Sequence, residues 1–184
     1  MKNMLFIMNP KAGRTTLKNS LVDVLEVFCN NDYAVRTYLT KSADDAERIV
    51  QEEGANYDVI VCAGGDGTLG NTVTGYMKSG IRVPLGYIPC GSTNDFARSM
   101  DIPRETVEAA EMIVKAEPFS IDIGSLNDKN FVYVAAFGMF SDTSYATPQN
   151  MKNIFGHAAY VLQGIKSLAN VPSYKMKVTI DGDE

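Results

Sequence analysis

Asp66 is the residue best placed by its neighbours to do chemistry, and those neighbours indicate which chemistry. It stands in the stretch Val59-Ile60-Val61-Cys62-Ala63-Gly64-Gly65-Asp66-Gly67-Thr68. The apolar run before the glycine pair is mostly β-branched and has no polar alternation, which predicts a strand buried on both faces of a parallel sheet. Glycine lets a bulky anion approach the backbone without striking a Cβ. Thr68 is expected to open a helix, whose free N–H groups and positive dipole end suit phosphate oxygens. A carboxylate between strand and helix, flanked by glycines and a hydroxyl, can hold a nucleotide and its metal. The plainer alternative is a turn whose Asp caps the helix, but the flanking glycines exceed what a turn needs.

Two further turns carry related chemistry. Met4 to Met8 is another continuous apolar run and ends in Asn9-Pro10-Lys11-Ala12-Gly13-Arg14-Thr15-Thr16. Pro10 and Gly13 break the strand, Thr15 or Thr16 can cap the next helix, and Lys11, Arg14 and Lys18 add positive charge. Val83 to Ile88 predicts a strand that empties into Pro89-Cys90-Gly91-Ser92-Thr93-Asn94-Asp95, rich in hydroxyls and caps. One such loop is ordinary in α/β proteins. Several in one sheet are more specific.

The elements that must position these loops follow from periodicity. Leu17, Leu21, Val24, Leu25 and Phe28 form a core-facing helical stripe. Tyr33 to Leu39 predicts a strand ending at Thr40, and Ser42 with Asp45 resembles a capping box ahead of a helix that stops at Gly54. A helix over about 68–79 contains Gly70 and Gly75, each costing about 1 kcal/mol relative to Ala. Gly75 suits close packing, whereas Gly70 suits either packing or room for a ligand. A further helix runs to about Lys115, with Val107, Ala110 and Val114 inward. Strand–turn–helix therefore recurs, the pattern of a doubly wound parallel sheet whose ligands sit at the carboxyl ends of strands.

From Pro118 the pattern changes. Phe119 to Leu126 and Phe131 to Phe137 predict strands bracketing an Asn127–Asn130 turn. An amphipathic helix over 150–170 carries His157, the only histidine, which reads as structural. Alternation predicts a half-buried strand over 174–180. The expected division is an α/β nucleotide-binding domain at 1–118, followed at 119–184 by the start of a β-sandwich that looks truncated.

Composition narrows the class. The chain has 184 residues, 45% hydrophobic and 21% charged, enough for a real core. Its net charge of −5 argues against nucleic acid as a partner. Cys29, Cys62 and Cys90 show no zinc spacing and read as small buried hydrophobes in a reducing compartment. The first apolar run is too short for a signal peptide and no stretch reaches membrane-spanning length, so a cytoplasmic location is expected.

Three blocks together are similar to the diacylglycerol kinase catalytic-domain family, which includes bacterial soluble lipid kinases and sphingosine kinases. They are Asn9-Pro10-x-Ala12-Gly13, Gly64-Gly65-Asp66-Gly67-Thr68-Leu69, and Pro89-x-Gly91-Ser92-x-Asn94-Asp95-Phe96-Ala97-Arg98. Asp122-Ile123-Gly124 and Gly156-x-x-Ala159-Tyr160 with Gly164 add weaker support. The glycine–aspartate block alone is shared with NAD kinases and phosphofructokinases. The resemblance implies ATP as phosphoryl donor and a lipid hydroxyl, diacylglycerol first, as acceptor. It places Asn9, Pro10, Lys11, Ala12, Gly13, Thr40, Gly64, Gly65, Asp66, Gly67, Thr68 and Ser92 around the nucleotide. Asp66 would act catalytically by organising Mg²⁺ through water, as a hard cation that keeps part of its hydration shell requires.

The chain departs from the family pattern in three ways. Gly70-Asn71 stands where the family has Asn-Glu, removing a carboxylate, and Ser92 replaces the usual Thr. The family's acidic base lies in a late Asp-Gly-Glu motif expected beyond residue 184, and Asp181-Gly182-Asp183-Glu184 follows the helix too closely to be it. Two rival functions stay open: a nucleotide-binding protein without kinase activity, and a same-fold kinase acting on another acceptor such as NAD. Between Thr143 and Ile180 there are lysines (152, 166, 175, 177) and no acidic residue. A solvated face is the plainer reading; peripheral contact with an anionic membrane, about 1 kcal/mol per lysine, is the sharper one. Homodimerisation is left open as well.

Overall fold

The computed structural model describes residues 1–12, 16–127 and 129–134. The expectations for Gly13, for the helix over 150–170, for the strand over 174–180 and for the lysines after Thr143 lie outside the described residues.

Strands β1 (Lys2–Met8), β2 (Tyr33–Leu39), β3 (Val59–Gly64) and β4 (Leu85–Pro89) form one parallel sheet in the order β2-β1-β3-β4. The two runs without polar alternation, Met4–Met8 and Val59–Gly64, are the central strands and are buried along those stretches. Each is covered on both faces, which is why neither alternates.

Helices α1 (Thr16–Asn30) and α5 (Thr106–Lys115) cover one face. There Leu17, Val24, Phe28, Ala109 and Ala110 pack on Met4, Phe6, Met8, Val61 and Ile88. On the other face α2 (Asp45–Glu53) brings Ala46, Ile49 and Val50 against Leu5, Ile7 and Ile60. Beside it lie α3 (Asp66–Ser79) and the short α4 (Asp95–Ser99), whose Leu69, Val73, Phe96 and Ala97 meet Cys62 and Tyr87. The doubly wound arrangement is therefore present. Burial pushes the Cys62 and Cys90 thiols up to about 12, so both stay protonated. Cys29 is instead exposed, on the outer side of α1 near its end.

Two local readings gain a physical account. A Cβ at Gly75 would lie 2.4 Å from the Glu47 carbonyl oxygen, so this glycine lets α3 touch the backbone of α2. Asp45 reaches back to accept from the N–H groups of Lys41 and Ser42 at 2.6 and 3.1 Å, while Ser42 does not cap the helix. Only the acidic half of the capping box is made.

After Ala116 the ladder is shorter than its apolar residues predict. Only β5 (Gly124–Leu126) and β6 (Lys129–Phe131) pair, antiparallel, within the described residues. Phe119 and Ile121 are exposed and outside any ladder. Leu126 pairs with Lys129, so the loop has two residues rather than four, with Asn127 at φ 53°. Positive φ at the first loop position matches the twist of a tight hairpin, and Asn tolerates it. Ile123 and Val132 pack on the α3–α4 cluster, and Met1–Val134 is one compact unit. Among the described residues no helix is long and apolar enough to cross a membrane.

Candidate functional site at the carboxyl edge of the sheet

From β1 the chain first builds outward to β2, then returns to lay β3 on the other side of β1. The loops after β1 and β3 therefore diverge at a topological switch point, the usual crevice of an open α/β sheet. Asn9 leaves β1 there and Gly64-Gly65-Asp66 leave β3.

Asn9 ties the two loops together. Its Nδ2 donates to Thr68 Oγ1 at 3.0 Å, while its Oδ1 accepts from the Lys11 N–H at 2.9 Å and shapes the turn. Lys11 is exposed, and Pro10 and Ala12 are half-buried. Thr40, at the end of β2, is buried and donates its N–H to the Met8 carbonyl at 2.9 Å. The first two candidate loops thus converge, with Gly13 outside the described residues.

The glycines divide by what surrounds them. A Cβ at Gly64 would lie 2.5 Å from the Thr68 side chain, and one at Gly65 would lie 3.2 Å from Gly91 Cα. One at Gly91 would lie 2.6 Å from Gly65 Cα. Gly65 and Gly91 let the loops after β3 and β4 close on one another, and Gly64 makes room for Thr68 four residues on. Gly67 and Gly70 differ, because a Cβ at either meets nothing within 4 Å. Their space is open, over the first turns of α3.

Asp66 does not cap its own helix. It is the first residue of α3, behind an N-cap at Gly65 that makes no side-chain bond. Its carboxylate turns across to the next loop, where Oδ1 accepts from the Phe96 N–H at 3.2 Å and Oδ2 from Thr93 Oγ1 at 3.3 Å. Helix-capping by Asp66 is thus real but directed at α4. Ser92, one residue earlier, is exposed.

Sequence reasoning missed the residues that hold this third loop. Asn94 is buried in the left-handed region at φ 52°. Its Oδ1 accepts from the Gly91 N–H at 2.8 Å and its Nδ2 donates to the Gly91 carbonyl at 3.0 Å. Tyr87 donates its hydroxyl to the Gly64 carbonyl at 3.1 Å. Burial first, and the Asp66 charge second, push its phenol well above the usual range, so it remains a donor. A usable signal existed for Asn94, since Asn is the side chain that best tolerates the left-handed region after glycine. None existed for Tyr87, whose role depends on strand register.

Asn71 also has a new partner: its Nδ2 donates to the Ala43 carbonyl at 2.7 Å. A glutamate there could not make that bond. Among the described residues no three His, Cys, Asp or Glu side chains gather as a metal cage. Mg²⁺ seldom needs one, because it keeps waters and takes one or two carboxylates together with phosphate oxygens. A single half-buried carboxylate beside open space fits that donor set.

The sequence profile of the diacylglycerol kinase catalytic domain matches residues 3–126. This chain belongs to that family. Diacylglycerol kinases of Staphylococcus aureus strains JH9 and Newman are each 35% identical to it over 186 residues, covering 99% of this chain and 58% of the relative. The chain thus spans little more than half the length of these family members. A crystal structure of a diacylglycerol kinase from Bacillus anthracis strain Sterne aligns at a TM-score of 0.66 and 32% identity, covering 71% of this chain and 45% of that one. A second, of a protein described as a putative diacylglycerol kinase from the same strain, aligns at the same TM-score over 48% of its chain. The family and the parallel α/β fold agree with the three sequence blocks.

Proposed function

We propose that this chain carries the ATP site of a lipid kinase that transfers the γ-phosphoryl group to a lipid hydroxyl, with diacylglycerol as acceptor. The observation carrying the proposal is the placement of Asp66, pinned at the switch point beside open space over Gly67 and Gly70. Family membership supplies the reaction class. In this reading residues 1–118 bind the nucleotide.

Each loop has a part in the reading. Asn9 to Gly13, Thr40, Gly64 to Thr68 and Ser92 surround the nucleotide, and the N–H groups opening α3 face its phosphates. Asp66 holds Mg²⁺ through water. When bound, that ion neutralises charge on the transferring phosphoryl group. Phosphoryl transfer asks mainly for positioning and charge stabilisation, and cross-linked loops provide positioning. Peripheral contact with anionic lipid accompanies this reading.

One observation favours a second reading. Asn71 spends its amide on Ala43 and presents no carboxylate, which suits a protein that binds nucleotide without transferring phosphate. Incubating the full-length protein with labelled ATP and diacylglycerol, a sphingoid base or NAD separates these cases. Label in phosphatidic acid supports the lipid kinase. Label in NAD, or nucleotide binding with no labelled product, replaces it.

Gly70 offers an independent check. Gly70→Ala should raise stability by about 0.5–1 kcal/mol, since a helical Ala is preferred and its Cβ strikes nothing. If a ligand occupies that space, nucleotide affinity should fall in the same protein. A stabilised variant that binds ATP as the parent does would show that Gly70 does not serve the nucleotide.

A further inference from the structure

We infer that Thr93 is a positioning residue for the Asp66 carboxylate and thereby sets how strongly the site uses Mg²⁺. The inference rests on the nucleotide reading above. Residue 93 stands at the unassigned position of the Gly91-Ser92-x-Asn94 block, so no motif gives it a role.

The geometry is specific. Asp66 receives one donor on each oxygen, Phe96 N–H on Oδ1 at 3.2 Å and the Thr93 hydroxyl on Oδ2 at 3.3 Å. Two donors from one turn fix the plane of the carboxylate as well as its position. Each oxygen keeps lone-pair capacity for a further partner, because an ionised carboxylate has about four acceptor sites. The Phe96 donor is backbone and is kept by every replacement except proline, so Thr93 is the adjustable half of the clamp.

Thr93 is itself held. It is half-buried and β-branched, which restricts its first side-chain torsion. The next residue, Asn94, closes the turn by bonding both the N–H and the carbonyl of Gly91. Ser92 on the other side is exposed, so two neighbouring hydroxyls serve different directions, one outward and one onto Asp66. A hydroxyl kept inward by this turn orients a carboxylate without neutralising it.

The test compares Thr93→Val, Thr93→Ala and Thr93→Ser in the full-length protein, using calorimetric titration with ADP in the presence and absence of Mg²⁺. Valine keeps the shape and removes the donor, alanine removes it without a methyl facing Asp66, and serine restores it. The parent should bind ADP more tightly with Mg²⁺. That enhancement should shrink at least threefold in both donor-less variants and recover to within about twofold in serine, while metal-free binding stays level. A valine or alanine variant with the parent's full Mg²⁺ enhancement would overturn the inference while leaving the nucleotide reading intact. A serine variant as impaired as valine would also overturn it, because the hydroxyl would then not be the operative group. A parent that binds ADP in neither condition removes the nucleotide reading, and this inference with it.

Discussion

If the chain carries the kinase site, Asp66→Asn should leave a folded protein that transfers almost no phosphate. Asn is nearly isosteric and keeps an oxygen to accept the Phe96 N–H at Oδ1, so the bridge from α3 to α4 survives in part. On the other side its amide would meet Thr93 Oγ1, which can rotate to accept rather than donate. The cost in stability should therefore be about 1 kcal/mol or less, the value of one altered polar contact. What disappears is the negative charge. Removing one preorganised electrostatic contact to a reacting group commonly costs about 10²–10³ in turnover, and a charge that organises a metal should cost no less. Circular dichroism and thermal unfolding would establish the fold, and labelled-ATP transfer would measure the loss. Turnover within a fewfold of the parent, still dependent on Mg²⁺, would show that Asp66 only joins two loops.

Gly91→Ala should damage both the fold and the site, through a single methyl group. That methyl would lie 2.6 Å from Gly65 Cα and 2.7 Å from Asn94 Oδ1. The first neighbour is backbone and cannot swing aside, and the second is the amide that closes the turn. Either the β3 and β4 loops separate or Asn94 gives up its bonds to Gly91. Overpacking of this kind costs about 1–3 kcal/mol, a fall of several degrees in the unfolding midpoint for a chain of this size. Because the Asp66 donors Thr93 and Phe96 sit on the displaced turn, the folded fraction should also lose turnover. The expected loss is on the order of 10–10²-fold, as for other small misplacements of reacting groups. Gly67→Ala supplies the contrast, since its methyl meets nothing. Equal unfolding midpoints for the two variants would refute this account.

The contrast also shows what the sequence made legible. The buried strands were readable because a run such as Val59–Ala63 has no polar residue to place in water, and parallel central strands are the only economical home for it. The helical stripe of α1 was readable for the same reason. The position of Asp66 at the start of the helix after β3 was readable, but its partners were not. Thr93 and Phe96 lie 27 and 30 residues away, and the pairing depends on β4 lying beside β3 in one register. The glycines were readable as a group and not individually. Sequence spacing cannot tell a glycine wedged against another backbone, such as Gly91, from one facing open space, such as Gly70. The strand expected over 119–126 failed through a related limit: apolar content suggested it, but a ladder needs a partner at the right height, and only Gly124–Leu126 has one.

The placement of β1 at the centre of the sheet has a consequence for biosynthesis. This strand is synthesised before the other three, yet its inner neighbour β3 comes much later: Asn3 bonds Asp58 across a separation of 55 residues. At roughly 5–20 residues per second, translation leaves the apolar segment Met4–Met8 unpaired on that side for about 3–11 s. Helix α1 and strand β2 can shelter one face and one edge in the interval, but the second edge stays open until β3 arrives. A nascent chain that has released β1 but not β3 would expose this strand to chaperones, and release of β3 would hide it.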